Sequence, residues 1–185
     1  MDANLDDIKH IRSMMERSSK FLSISGLSGV LAGIYAIVGA VIAHLVLSGN
    51  ISFTGNLLYD LVFIAGLVLV LAVGTGLVFS ARKAKKNNSK LWQSVTIQIA
   101  KDFCVPLFTG GVFCIILIFK HLSYMVAPAM LIFYGLSLIA AGSRTYNDVK
   151  ILGACEILLG LAAAIVVGYD LVFWGIGFGV LHIVY

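Results

Sequence analysis

The chain has 185 residues, of which 60% are hydrophobic and only 12% are charged, and its mean hydropathy is +1.01. So few polar residues cannot cover a water-facing globule, which excludes a soluble globular domain. The apolar residues fall in long runs separated by short polar breaks, a pattern typical of membrane-spanning helices. The alternating segments of a transmembrane barrel are not seen. We therefore predict an all-α polytopic membrane protein.

A formal net charge of +4 would fit a nucleic-acid partner, but the positions of the charges argue against one. A six-helix chain places its connections alternately on the two sides of the membrane. Of the thirteen Lys and Arg residues, only Lys120 falls on the side opposite to the rest. The others precede the first helix or share alternate connections: Lys9, Arg12, Arg17, Lys20, Arg82, Lys83, Lys85, Lys86, Lys90, Lys101, Arg144 and Lys150. Because basic residues concentrate in cytoplasmic loops, both termini are predicted to be cytoplasmic. Membrane lipids, rather than nucleic acid, are the expected partners of these charges.

Residues 1–20 are predicted to form a cytoplasmic amphipathic helix that lies along the lipid headgroups. Its apolar residues recur at helical spacing, namely Leu5, Ile8, Ile11 and Met15. A docking surface for a soluble cytoplasmic partner is the alternative interpretation of this segment. A second interfacial helix is predicted over residues 89–103, with Ser89 as its cap.

Residues 21–185 are predicted to form six transmembrane helices in three hairpins. Their predicted bounds are 21–47, 57–81, 104–119, 122–141, 151–168 and 171–185. Pro106 is expected to kink the chain as it enters the third of these helices. The sixth has only about 15 residues, slightly short of a full span, which leaves open that the chain continues past Tyr185.

Small residues recur at three- and four-residue spacing in several of these helices. Such stripes allow helix backbones to approach closely within a membrane. The pattern predicts close helix packing, and makes a homo-oligomer plausible, at Gly29, Gly33, Gly153, Gly160, Gly175 and Gly179.

The last hairpin contains the most conspicuous polar pair. Glu156 and His182 are each thirteen residues from Tyr169, so an antiparallel hairpin brings them to one depth, roughly 20 Å from the turn. An ionisable side chain at that depth is a candidate functional site. A carboxyl group facing an imidazole can share or pass a proton. The alternative is a purely structural role, with Glu156 bonded across helices.

A second polar pair is predicted in the first hairpin. His44 and Asp60 are each eight residues from Ser52, so the two side chains are expected to face each other near the outer surface. The favoured alternative is that both reach interfacial water independently.

Catalytic and cofactor motifs are absent from the sequence. It has no Walker loop, dinucleotide fingerprint, HExxH or G-x-S-x-G. The four His residues lack metal-ligand spacing, and an odd count of three Cys argues against a disulfide framework. We therefore expect no metal, no cofactor and no catalytic residue.

Two stretches resemble a group of small six-helix bacterial inner-membrane proteins. They are IKHIRSMMERSSKFLSISGLSGVLAGIY near the N-terminus and GFGVLHIVY at the C-terminus. The resemblance implies an inner-membrane topology and no particular activity.

The sequence is compatible with three classes of function. The first is a small-solute or proton-linked transporter or channel that uses Glu156 and His182. The second is a non-catalytic accessory, sensor or scaffold protein that works through residues 1–20 and the basic loops. The third is an intramembrane enzyme that acts on lipid.

Overall fold

The structure is a computed structural model that describes residues 26–86, 94–145 and 147–185. The predicted helix at residues 1–20 lies outside the described residues, as do the first residues of the segment predicted at 89–103. The prediction for residues 1–20, and that for residues 89–93, therefore stay predictions.

The described residues form helices joined by short turns, and they contain no strand. The prediction of an all-α fold is confirmed for these residues. The helices are α1 (Gly26–Leu47), α2 (Leu57–Lys86), α3 (Ser94–Phe119), α4 (Val126–Gly142), α5 (Asn147–Ile165) and α6 (Asp170–Val184). A single turn of 3-10 helix at Ser123–Met125 leads into α4.

Four segments are long and apolar enough to cross a membrane. They are α1, α2, the Thr96–Phe119 part of α3, and Ser123–Gly142. The 30 residues of α2 span about 45 Å at the usual helical rise. Because a hydrocarbon core is roughly 30 Å thick, the basic last turns of α2 extend beyond it.

Three helices differ in extent from the sequence prediction. α5 spans Asn147–Ile165 instead of residues 151–168. α2 continues to Lys86 instead of ending at residue 81. α3 is one helix from Ser94 to Phe119 with Pro106 inside it, whereas the sequence predicted an interfacial helix that gave way to a separate span. Proline is tolerated within membrane helices when neighbouring groups satisfy the backbone carbonyl that loses its N–H donor.

Three pairs of consecutive helices pack closely against each other, namely α1 with α2, α3 with α4, and α4 with α5. The most extensive contact is between α4 and α5, and the contacts of α3 with α4, α1 with α6 and α1 with α2 follow. α6 packs mainly on α1 and also touches α4 and α5, so it joins the first hairpin to the rest of the bundle. This arrangement gives α6 neighbours on several sides.

The two ends of the bundle have different chemistry. At one end, which we call the Asp170 end, Leu47, Leu58, Ile118 and Gly168 line a single cavity with Asp170. At the other, the Arg144 end, the Arg144 Nε lies 2.6 Å from Asp102 Oδ2 and joins α3 to the end of α4. Both charged groups are partly exposed, so this pair adds little stability.

Glycines set the separation of the helices at two interfaces. A methyl group added to Gly33 of α1 would lie 2.6 Å from the Gly179 carbonyl oxygen of α6. A methyl group on Gly153 of α5 would lie 2.7 Å from the carbonyl oxygen of Gly135 in α4. No side chain fits either position without moving a backbone.

The other predicted packing glycines differ in how closely the neighbouring helix approaches them. A methyl group on Gly160 would lie 2.9 Å from the Pro128 carbonyl oxygen, and one on Gly179 would lie 2.6 Å from Ile37 Cγ1. The corresponding distances are 3.4 Å at Gly29 and 3.5 Å at Gly175, which are near ordinary van der Waals contact. The closest α1–α6 approach is therefore at Gly33 and Gly179.

Gly33→Ala is expected to lower the free energy of unfolding by about 1–3 kcal/mol, since the methyl group would force α1 away from α6. The matched control is Gly74→Ala in α2, where a methyl group meets nothing within 4 Å. Thermal unfolding of both variants in the same detergent measures the difference. Equal stability of the two variants would contradict close packing at Gly33.

Candidate functional site

Glu156 lies near the middle of α5, and its side chain is completely buried. It belongs to the stripe that includes Gly153 and Gly160, where α4 approaches closely. Its carboxyl group reaches α6, because a methyl group on Gly177 would lie 2.6 Å from Glu156 Oε2. Only glycine at residue 177 leaves room for this carboxyl group.

α6 changes its helical geometry beside Glu156. Residues Gly175–Leu181 form a π-helix between the α-helical turns Asp170–Trp174 and His182–Val184. π-Helical turns are rare in proteins, and those that are found often lie at functional sites. His182 directly follows the π-helix and is buried.

Both ring nitrogens of His182 have hydrogen-bond partners. Nδ1 lies 3.0 Å from the carbonyl oxygen of Gly177, and Nε2 lies 2.7 Å from the Tyr134 hydroxyl of α4. A carbonyl oxygen only accepts, so Nδ1 must carry a hydrogen. In the neutral ring, Nε2 then accepts the Tyr134 O–H, and the tautomer is fixed by these two partners.

The Glu156 carboxyl group, in contrast, is left without a partner. Its Oε1 lies 3.6 Å from His182 Nδ1, which is too long for a hydrogen bond. Among the described residues, neither Glu156 oxygen has a hydrogen-bond partner. Buried polar groups are nearly always paired, so this carboxyl group needs an explanation.

Aromatic rings surround the Tyr134–His182 contact. The Phe178 ring centroid is 5.0 Å from that of Tyr134 and 6.2 Å from that of His182. Phe103 of α3 meets Tyr134 edge-on at 5.9 Å, and Trp174 lies 5.3 Å from Phe178. The imidazole is therefore enclosed by groups that offer it few hydrogen bonds beyond those to Tyr134 and Gly177.

Sequence reasoning missed Tyr134 and Gly177. Tyr134 lies on α4, outside the hairpin from which the pair Glu156–His182 was predicted, and it adjoins Gly135, a packing glycine. The alternating Gly175, Gly177 and Gly179 could have indicated an unusual stretch of α6. Cys155, which adjoins Glu156 in sequence, is exposed and turns away from the site.

Asp60 has partners other than the one predicted for it. Its Oδ1 accepts the backbone N–H and the hydroxyl of Thr54, at 2.8 and 2.7 Å. Its Oδ2 accepts the Ser52 hydroxyl and the Phe53 N–H, both at 3.0 Å. His44 is exposed on α1. The carboxylate therefore organises the preceding loop, which offers four donors close by in sequence.

Within residues 26–86, 94–145 and 147–185, no group of three His, Cys, Asp or Glu side chains is placed to hold a metal ion. Among these residues, the polar groups that meet beside the π-helix are the Glu156 carboxyl group, the His182 imidazole and the Tyr134 phenol.

Comparison of the chain with known protein families, with curated proteins and with solved structures finds no significant match. The function must therefore be inferred from the residues of the site themselves.

Asp60→Ala is expected to release the loop before α2, since four hydrogen bonds to the carboxylate are lost. Chymotrypsin should then cleave after Phe53 faster than in the wild-type protein, as measured by mass spectrometry of digests in detergent. His44→Ala is the control and should leave the cleavage rate unchanged. Equal acceleration in both variants would instead support the predicted pairing of His44 with Asp60.

Proposed function

We propose that the chain is a proton-linked transporter of a small solute, whose proton-binding group is Glu156. The observation that supports this most directly is the completely buried carboxyl group, without a hydrogen-bond partner, 3.6 Å from a buried imidazole. Ionisable groups within membrane helices are costly and commonly mark proton or ion pathways. A carboxyl group retained only for packing would be expected to have a bonded partner.

The geometry favours the neutral acid form of Glu156 in this conformation. An ionised carboxylate without a donor is very unfavourable in a poorly hydrated interior. The nearest donor is the His182 Nδ1–H, and the Gly177 carbonyl already accepts it. Ionisation of Glu156 would therefore require that the imidazole turn its N–H from Gly177 toward Oε1.

Tyr134 offers a route by which His182 could load the carboxylate. A proton that arrives at Nε2 from the Tyr134 side allows Nδ1 to release its own proton to an ionised Glu156. The histidine ends as the neutral Nε2–H tautomer, the carboxylate becomes the neutral acid, and the proton count is conserved. As the Tyr134 oxygen gives its proton to Nε2, it takes up a replacement proton, which restores the hydroxyl; the half-buried position of Tyr134 allows this uptake.

The site is closed to solvent in this conformation, since Glu156 is 0% and His182 is 9% exposed. We propose that transport alternates between this closed arrangement and one in which α6 moves relative to α5. The π-helix at Gly175–Leu181 is a suitable place for such a change, because it can revert to α-helical geometry.

The proposal includes six spans, with α5 and α6 crossing beside the four long apolar helices, in a bacterial inner membrane. The basic residues at the Arg144 end and at the end of α2 support a cytoplasmic position for that end and for both termini. The topology remains part of the proposal and is testable by labelling of single cysteines.

An accessory or scaffold role is the second candidate, and the surface of α2 favours it. Only 6% of the residues in the most apolar stretch of α2 are fully buried, so the side of this helix away from α1 faces outward. Exposed side chains such as Phe63, Leu67 and Val70 line one stretch of it. Lipid or a second copy of the chain would cover this face, and a homo-oligomer would contact through it.

The transport proposal is tested with purified protein in liposomes that enclose a pH-sensitive dye. An inside-negative potassium diffusion potential should drive acidification by the wild-type protein, because we propose that Glu156 also carries protons as a leak when no solute is present. Glu156→Gln should abolish this proton flux, because the amide cannot release a proton. Tyr134→Phe should slow it roughly tenfold or more, because the hydroxyl that delivers the proton is lost.

Asp148→Asn is the matched control, since it removes an exposed carboxyl group from the same helix. It should support wild-type flux. Flux that persists in Glu156→Gln, or a wild-type protein that conducts no protons, would reject the proposal and favour the accessory role.

A further inference from the structure

A cavity of about 520 Å³ opens at the Asp170 end of the bundle. α1 and α2 form one side of it, and the 3-10 turn with the start of α4 forms another. The first turn of α6 contributes Asp170, Leu171 and Trp174. A volume of this size suits a small molecule with several rings.

The lining of the cavity is apolar and aromatic with one acidic group. Leu61, Ile64 and Met130 are typical of its walls, and Tyr124 and Trp174 add aromatic rings. Asp170 is the acidic group, and no Lys or Arg is among the lining residues. The lining therefore contains one carboxyl group that can carry a negative charge and no Lys or Arg to neutralise it.

Asp170 has an oxygen that lacks a partner. Its Oδ1 is buried, and no described residue forms a hydrogen bond with it. Within an apolar wall, such an oxygen is best compensated by a positive charge. Aromatic faces such as those of Trp174 and Tyr124 also attract cations.

The cavity is connected to the buried carboxyl site by a chain of aromatic contacts. Trp174 lines the cavity and lies 5.3 Å from Phe178. Phe178 in turn contacts both Tyr134 and His182. Trp174 and Phe178 belong to α6, so a ligand that shifts Trp174 would act on the helix that holds His182.

From these observations we infer that the cavity binds a lipophilic monovalent cation, with its charge at Asp170 and its apolar body against α1, α2 and α4. The inference deepens the proposed function and rests on it, because it names the class of solute whose movement would be linked to Glu156. Binding itself does not require a proton gradient, so it can be tested separately.

The test uses tetraphenylphosphonium and tetraphenylborate, which share a shape and differ in the sign of their charge. Each is titrated into the full chain in lipid nanodiscs, in a Trp92→Phe background that leaves Trp174 as the only indole. Tetraphenylphosphonium should quench Trp174 fluorescence saturably. Tetraphenylborate should bind at least about tenfold more weakly, a difference of ~1.4 kcal/mol.

Asp170→Asn should weaken tetraphenylphosphonium binding by about tenfold or more, whereas Asp148→Asn should leave it unchanged. Should Asp170→Asn fail to fold, Ala65→Phe provides a second variant, which fills the cavity from α2 and leaves Asp170 intact. It should abolish saturable quenching.

Equal binding of the two probes, or wild-type affinity in Asp170→Asn, would overturn the inference and indicate an apolar recess occupied by lipid. That result would leave proton flux through Glu156 untouched. Conversely, selective cation binding combined with unchanged flux in Glu156→Gln would reject the transport proposal and retain the cation site.

Discussion

A carboxyl group enclosed by three helices without a hydrogen-bond donor is the constraint on which the centre of this protein depends. Glu156 has no exposure, and its nearest polar neighbour, His182 Nδ1, is committed to the Gly177 carbonyl. An ionised group in such a place would cost far more free energy than a few apolar contacts restore. The bundle therefore accommodates the group most readily in its neutral form, and any change in its charge must be accompanied by a rearrangement around it.

The glycines explain how such a group can be enclosed at all. Gly177 provides the space for the Glu156 carboxyl oxygens, and Gly135 and Gly153 bring α4 close to α5, while Tyr134 of α4 reaches the imidazole on α6. The same approach of α1 to α6 at Gly33 and Gly179 holds the π-helix in place from the other side. In a membrane, where lipid competes equally well for apolar contacts, close backbone approach is the main source of helix association. The polar site and the glycine stripes are thus parts of one packing arrangement.

The sequence allowed the all-α class and the presence of long apolar helices to be predicted, because runs of apolar residues can be read directly from it. Counting from Tyr169 placed Glu156 and His182 at one depth, since helical rise is nearly constant. Tyr134 could not be found in this way, because its position depends on the register of α4 against α5. The small residues on these helices would permit more than one register. Counting from Ser52 also could not reveal the hydrogen-bond partners of Asp60, because these are donors of the loop directly before its own helix. The π-helix depends on the packing of α6 and has no simple sequence period.

The protonation of Glu156 is the most direct test of this interpretation. An infrared difference spectrum between the wild-type protein and Glu156→Gln, recorded at neutral pH in lipid, isolates the vibrations of this side chain. We expect the carbonyl stretch of a protonated carboxylic acid with little hydrogen bonding, present in the wild type and absent from the variant. Carboxylate stretches in its place would show that Glu156 is ionised and solvated. The buried proton site would then be contradicted.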